Sequence, residues 1–126
     1  MRNVKTMSNE NLKQRTKRFA LRVIKLVESL PSDQTCRILG KQLLRSGTSV
    51  GANYRAACRS KSPADFISKM GTVEEEADES GYWMELLVEA GKIKSAKLSA
   101  LMQEAGELTA IAVSSINTAR KSPARR

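Results

Sequence analysis

The chain has no histidine, so it lacks both the commonest general base and the commonest metal ligand of proteins. Di-metal sites in helical bundles are built from Glu-x-x-His pairs, which this sequence cannot form. Ser46 and Ser49 have no histidine and no suitably placed lysine to activate a hydroxyl for nucleophilic attack. We therefore expect no catalytic residue, no metal site and no cofactor, and hence no enzyme.

Aromatic residues make up only 4% of the chain, and β-branched residues never alternate with polar ones as they do in strands. No apolar run approaches the roughly 18 residues that a membrane-spanning helix needs. The first residues, 1–11, are polar and do not resemble a secretory signal. These absences predict an all-α protein that lies in the cytoplasm and does not cross a membrane.

Cysteine is scarce as well, since Cys36 and Cys58 are the only two. Both fall on the apolar face of one predicted helix and lie about 33 Å apart, at a rise of about 1.5 Å per residue. A disulfide requires two Cα atoms within about 7 Å of each other. We expect both cysteines to be small buried side chains rather than a cross-link.

Apolar residues recur at helical spacing in four segments, which are separated by Pro31, Pro63 and Gly91. Four long amphipathic helices with short connections pack most simply as an antiparallel up-down-up-down four-helix bundle. The predicted helices cover residues 9–30, 34–61, 63–91 and 96–119. The bundle would therefore occupy residues 9–119, with a flexible N-terminus at 1–8 and a disordered basic tail at 120–126.

Three glycines lie inside the second predicted helix, at positions 40, 47 and 51. Each costs about 1 kcal/mol relative to alanine in a helix, so their presence requires a compensating benefit. Close approach of a neighbouring helix is the favoured explanation, and a local kink is the alternative.

Positive charge is concentrated in the first half of the chain. Residues 1–64 carry 14 lysines and arginines against three acids, whereas residues 65–126 carry 8 against 10. On a helical wheel many of these cations form two stripes, each about 80° wide. The stripe on the first helix contains Arg15, Arg18, Arg22 and Lys25. The stripe on the second helix contains Arg37, Lys41, Arg45, Arg55 and Arg59.

These stripes have a structural and a functional interpretation. A run of charges is often only a solvated face, but solvated faces usually mix signs, and residues 34–64 contain no acid. Arginine also suits phosphate through its planar fork of donors. Because no aromatic side chains interleave with the stripes, unpaired bases have nothing to stack on. The pattern predicts sequence-tolerant binding to the backbone of structured RNA.

The third helix carries a crowd of acids between Glu74 and Glu89. They are either solvated surface or partners for the basic helices of the same or a neighbouring subunit. Tyr82 and Leu86 point away from the predicted inner face and Trp83 lies to one side of it, and exposed aromatic residues commonly anchor protein contacts. We predict that these three residues form an oligomer interface; the alternative is a broad face covered by neighbouring helices.

Five tracts of the sequence resemble the bacterial four-helix bundle protein family, also called the large-subunit ribosomal RNA intervening-sequence protein family. They cover residues 42–46 (QLLRS), 49–57 (SVGANYRAA), 62–69 (SPADFISK), 75–80 (EEADES) and 82–86 (YWMEL). The resemblance implies an up-down bundle that assembles into a ring-like homopentamer. Many members are encoded within insertions in ribosomal RNA genes.

A more distant resemblance is to the accessory variability protein of diversity-generating retroelements, a basic pentamer that binds nucleic acid and a reverse transcriptase. Residues and resemblance together predict a non-enzymatic, oligomeric, nucleic-acid-binding module. Its partners would be further copies of the chain and structured RNA. The alternative is a protein-interaction scaffold or accessory subunit, for example to a reverse transcriptase, that does not itself bind nucleic acid.

Overall fold

A computed structural model describes the backbone of residues 4–121 and the side chains of residues 11–121. It contains four helices and, within those residues, no strand. The predicted all-α four-helix bundle is confirmed. The helices are α1 (Val4–Glu28), α2 (Gln34–Cys58), α3 (Pro63–Glu89) and α4 (Ser95–Lys121).

The helix ends differ from the predicted ones by a few residues. Helix α1 begins at Val4, five residues before its predicted start, because no proline or glycine interrupts the polar first turns. Helix α4 continues through Arg120 and Lys121, which were predicted to belong to the tail. Residues 1–3 of the predicted N-terminal segment and 122–126 of the predicted tail lie outside the described residues.

Side chains and one glycine determine where α2 and α3 begin and end. The carboxylate of Asp33 accepts the N–H of Cys36 at 2.8 Å, and the hydroxyl of Ser62 accepts the N–H of Asp65 at 3.0 Å. Both are N-caps, which satisfy backbone donors that the helix itself leaves free. Gly91 ends α3 with φ at +74°, while the N–H of Lys92 donates to the Leu87 carbonyl. The predicted role of Gly91 as a helix terminator is confirmed.

The helices pack in the order of the chain, but the bundle is not equally tight on its four sides. Helix α2 contacts α1 on one side and α3 on the other, and α3 contacts α4 extensively. Helices α1 and α4 contact each other at only a few points. The ammonium of Lys92 lies 3.4 Å from the Asp33 carboxylate, which joins the α3–α4 loop to the start of α2 at one end of the bundle.

Close contact between α1 and α2 explains the glycines of α2. A Cβ added to Gly47 would lie 2.9 Å from two carbons of Val23, and one added to Gly51 would lie 3.2 Å from the Thr16 hydroxyl. Gly40 faces Val27 of α1 and Leu30, which lies just beyond the end of α1, in the same way. These glycines allow the two backbones to approach, so the packing explanation is confirmed.

Helices α2 and α3 share one polar contact that lies in the core. The hydroxyl oxygens of Ser46 and Ser80 lie 2.9 Å apart, and both side chains are completely buried. The hydroxyl of Ser80 also donates to the Glu76 carbonyl, so each serine has a partner. Ser46 and Ser80 thus have a structural role where α2 crosses α3.

The prediction that both cysteines are buried is wrong for one of them. Cys36 is buried, but Cys58 is exposed, and neither forms a disulfide. Cys58 is the last residue of α2 and follows Ala57, the last buried position of that helix. In residues 4–121, no helix is both long and apolar enough to cross a membrane.

Candidate nucleic-acid interface

Four of the five cations predicted for α2 form one exposed line on the outer surface of the bundle. Arg37, Lys41, Arg55 and Arg59 fall within an arc of about 40° and are all exposed. None of them forms an ion pair with an acid among residues 11–121. Within those residues, their one side-chain hydrogen bond is a long one of 3.4 Å, from the Arg37 guanidinium to the Ser32 carbonyl. We call these four residues the α2 row. Its guanidinium and ammonium groups are available to an external anion.

Arg45 was predicted to belong to the same stripe, but the structure turns it towards α3. Its guanidinium lies 3.2 Å from the carboxylate of Glu76 and also binds that of Glu79. The pKa of Arg45 is raised, mainly because Glu79 accepts its hydrogen bond. Arg45 is therefore occupied by two carboxylates within the chain, and a phosphate would have to displace them.

The predicted stripe on α1 is divided in the same way. Nε and Nη2 of Arg15 donate to the two carboxylate oxygens of Glu104, at 2.7 and 2.9 Å, and Nη2 also donates to Glu107. These hydrogen bonds, above all those to Glu104, raise the pKa of Arg15. Arg18, Arg22 and Lys25 are exposed and pair with no acid of the described part of the chain.

The two stripes do not combine into one basic face. Arg15 reaches Glu104 of α4, and Arg22 and Lys25 lie beside Lys97 of α4, so the α1 stripe borders α4. The side of α1 that contacts α2 carries Thr16, Val23 and Val27 instead. The chain therefore presents two separate basic surfaces.

Sequence reasoning missed two cations that extend the α2 row. Lys13 and Lys17 are exposed, and at about 100° per residue they project on the side of α1 away from Arg15. Thr16, between them, meets Gly51 of α2, which brings this part of α1 beside Arg55. Lys13 and Lys17 do not belong to the Arg-rich stripe, and only the register of α1 against α2 places them here.

The acids of α3 divide between the two interpretations that the sequence left open. Glu76 and Glu79 bind Arg45 of α2, so part of the cluster is paired within the chain. The remaining acids of the cluster have no ion pair in the described structure. They are Glu74, Glu75, Asp78, Glu85 and Glu89. The bundle consequently has basic surfaces on α1 and α2 and an acidic surface on α3.

The residues of the predicted oligomer interface differ in exposure. Tyr82 is 50% exposed, whereas Trp83 and Leu86 are half-buried. The indole N–H of Trp83 donates to Glu79 at 3.0 Å, and the ring packs against the core and edge-on to Tyr82. Packing within the bundle thus explains why the Trp83 side chain is half-buried. The oligomer interface itself stays a prediction.

The chain is similar to a known protein family and to a solved structure. The model of a family described as 23S rRNA-intervening sequence protein matches residues 9–114. A crystal structure of a protein of unknown function, from the S23 ribosomal protein family of Bacteroides thetaiotaomicron, has a TM-score of 0.81 to this chain. The sequences are 34% identical, over 87% of this chain and 98% of that chain. No curated protein matches significantly.

Proposed function

This chain belongs to the 23S rRNA-intervening sequence protein family, and from that premise we propose a function. We propose that it is an oligomeric, non-enzymatic module that binds structured RNA. The observation that carries the proposal is the α2 row, four exposed cations without an acidic partner among the described residues. The family name associates its members with ribosomal RNA, which agrees with a phosphate-binding surface.

The spacing of the α2 row suits a duplex. Arg37 and Arg59 are separated by about 33 Å along the helix, at about 1.5 Å per residue, which is close to the roughly 34 Å of one turn of a B-form DNA duplex. Lys41 and Arg55 lie inside this span. The row therefore consists of two pairs, Arg37 with Lys41 and Arg55 with Arg59, whose midpoints are about 27 Å apart along the helix. Because phosphates carry no sequence information, binding through them is sequence-tolerant.

Assembly into an oligomer would place several weak RNA-binding surfaces on one particle. Backbone-directed binding typically has dissociation constants of roughly 10⁻⁴ to 10⁻⁶ M at physiological salt. Several identical faces held in one oligomer bind a long polymer with a much smaller apparent constant, because each further contact is intramolecular. The homopentamer expected from the family resemblance would supply five such faces.

The first test is binding of a structured RNA and a duplex DNA over a salt series. We expect both to bind at about 50 mM salt, with affinity falling steeply as salt rises, because each neutralised phosphate contributes about 0.7 to 0.9 to the slope of log K against log salt. Fluorescence anisotropy measures both quantities. If neither polymer binds at about 50 mM salt, the proposal is wrong.

The second test concerns assembly. We expect the chain to sediment as an oligomer at micromolar concentration, and the double change Tyr82→Ser and Leu86→Ser to weaken the oligomer by about thirtyfold or more, as loss of an interface anchor does. Sedimentation equilibrium measures the oligomer, and circular dichroism checks that the helices remain. Trp83 is left in place because it also packs against the core.

A matched control removes apolar surface elsewhere. Leu21 and Val113 are also exposed, at 58% and 38%, so Leu21→Ser with Val113→Ser should leave the oligomer intact. A wild-type chain that sediments as a monomer contradicts the assembly proposal. Dissociation by the control pair alone would place the interface elsewhere than at Tyr82.

The acidic surface of α3 favours a second candidate function. An acidic face on one copy complements a basic face on the next, and contacts between unlike surfaces generate rings. If the α2 row were covered in this way, the protein would be an interaction scaffold without access to RNA. The distinguishing result is an oligomer that remains assembled but binds neither RNA nor DNA at low salt.

A further inference from the structure

An open groove of about 380 Å³ lies between the end of α1 and the start of α4. Helices α1 and α4 contact each other at few points, and their Arg15–Glu104 ion pair lies two turns away from the groove. From Arg22 to Ser29 the α1 wall of the groove is about 10 Å long. Its volume is in the lower part of the range of small-molecule pockets.

The groove combines aliphatic and cationic lining. Leu26 of α1, with Ile93 and Leu101 from the α4 side, contributes aliphatic surface, and all three pack as part of the core or against it. Arg22, Lys25 and Lys97 supply the positive charge. No acidic residue lines the groove, and within residues 11–121 none of its three cations has an ion pair.

This lining differs from that of the α2 row. A nucleic-acid backbone presents charged and sugar groups and offers no aliphatic body to cover the apolar part of the groove. A neutral apolar ligand would leave the three cations without a counter-charge. The lining is complementary to a molecule with an anionic head and an aliphatic body.

We propose that the groove between α1 and α4 binds a small aliphatic carboxylate, with the carboxylate at Arg22, Lys25 and Lys97 and the chain against Leu26, Ile93 and Leu101. The cations donate charge-assisted hydrogen bonds to the carboxylate, and the aliphatic part of the ligand covers the partly exposed side chains of Leu26 and Ile93. This site is separate from the α2 row, so its occupation does not depend on RNA binding.

The test is a titration of the full chain with octanoate, followed by NMR of the methyl groups. We expect the methyl signals of Leu26, Ile93 and Leu101 to shift saturably, with a dissociation constant of roughly 1 mM for a ligand of this size. Octanol and octylammonium have the same aliphatic body without the negative charge, and inorganic phosphate has the charge without the body. None of these three compounds should shift the methyl signals saturably over the same range of concentration.

Charge-matched variants test the cations. Lys25→Gln with Lys97→Gln should weaken octanoate binding by about tenfold or more, since charge-assisted contacts are lost. Lys13→Gln with Lys17→Gln removes the same charge from the other side of α1 and should leave binding unchanged. Thermal melting checks that both variants fold, and the wild-type ligand series decides the question even if one does not.

Three results would overturn the proposal. The first is that octanoate does not saturate the shifts. The second is that octylammonium or octanol produces the same shifts as octanoate. The third is that phosphate or a nucleic-acid duplex saturates the same methyl signals as well as octanoate does, which would assign the groove to simple anions or to a phosphate backbone.

Discussion

Replacing Gly47 by alanine should destabilise the bundle, whereas replacing Gly106 by alanine should stabilise it. A Cβ at position 47 would lie 2.9 Å from both Cγ atoms of Val23, and one at position 106 would have no neighbour within 4 Å. Val23 is completely buried and β-branched, so it cannot rotate away easily. Overpacking of this kind costs about 1–3 kcal/mol.

Both substitutions gain about 1 kcal/mol of helix propensity, because both glycines are inside helices. The difference between the two free energies of unfolding therefore isolates the steric cost at position 47. Urea denaturation followed by circular dichroism measures it. Equal stabilisation by the two alanines would contradict the close approach of α1 and α2 on which the fold depends.

A compensating change sharpens this experiment. Val23→Ala alone should destabilise the bundle by leaving a cavity, but it should cost less in the Gly47→Ala background, because the new methyl group occupies part of the vacated space. Additive effects of the two changes would show that residues 23 and 47 do not contact each other.

Local sequence signals were sufficient to predict the four helices and their separation. Pro31, Pro63 and Gly91 act on the backbone next to them, and apolar residues at helical spacing select one face without reference to the rest of the chain. The same locality explains the errors at helix ends. Nothing in the sequence of the first turns of α1 selects Asn9 over Val4 as the first residue, since no proline or glycine lies between them.

Sequence reasoning was least able to predict how the charged residues are used. A helical wheel places Arg45 in one stripe with Arg37 and Arg59, but a long side chain reaches whichever partner is near. Only the packing of α2 against α3 brings Glu76 and Glu79 within range of Arg45. Likewise, only the register of α1 against α4 pairs Arg15 with Glu104, 89 positions along the chain.

Predicting the exposure of apolar residues likewise requires knowing how the helices pack against each other. A helical wheel shows that Trp83 lies to one side of the inner face of α3, but how far its ring is buried depends on how the helices pack around the core. The groove between α1 and α4 could not be predicted at all, because it results from the weak contact between the first and last helices.

Because some cations of the chain have carboxylate partners and others have none, the two groups can be changed separately to test nucleic-acid binding. The α2 row can be neutralised by Arg37→Gln, Lys41→Gln, Arg55→Gln and Arg59→Gln. Four cations elsewhere already have carboxylate partners, and they are Arg15, Arg45, Lys69 and Lys92. Changing those four to glutamine gives a control variant, because each set of changes lowers the formal net charge from +9 by four, to +5.

The two variants should differ strongly in nucleic-acid binding. Loss of four phosphate contacts should reduce the magnitude of the salt slope on duplex DNA by about 3 to 4, and that corresponds to orders of magnitude in affinity at low salt. The control variant loses only groups that carboxylates of the chain already occupy. Surface ion pairs contribute little to stability, so both variants should remain folded, which circular dichroism verifies.

The most direct test of the proposed RNA-binding surface is therefore the slope of log K against log salt for these two variants, measured side by side with the wild type on one structured RNA and one duplex DNA. We expect the slope to be much reduced in the α2-row variant and to change by less than about one in the control. Equal slopes in the two variants would mean that net charge alone governs binding, and would contradict the assignment of the α2 row as the nucleic-acid interface.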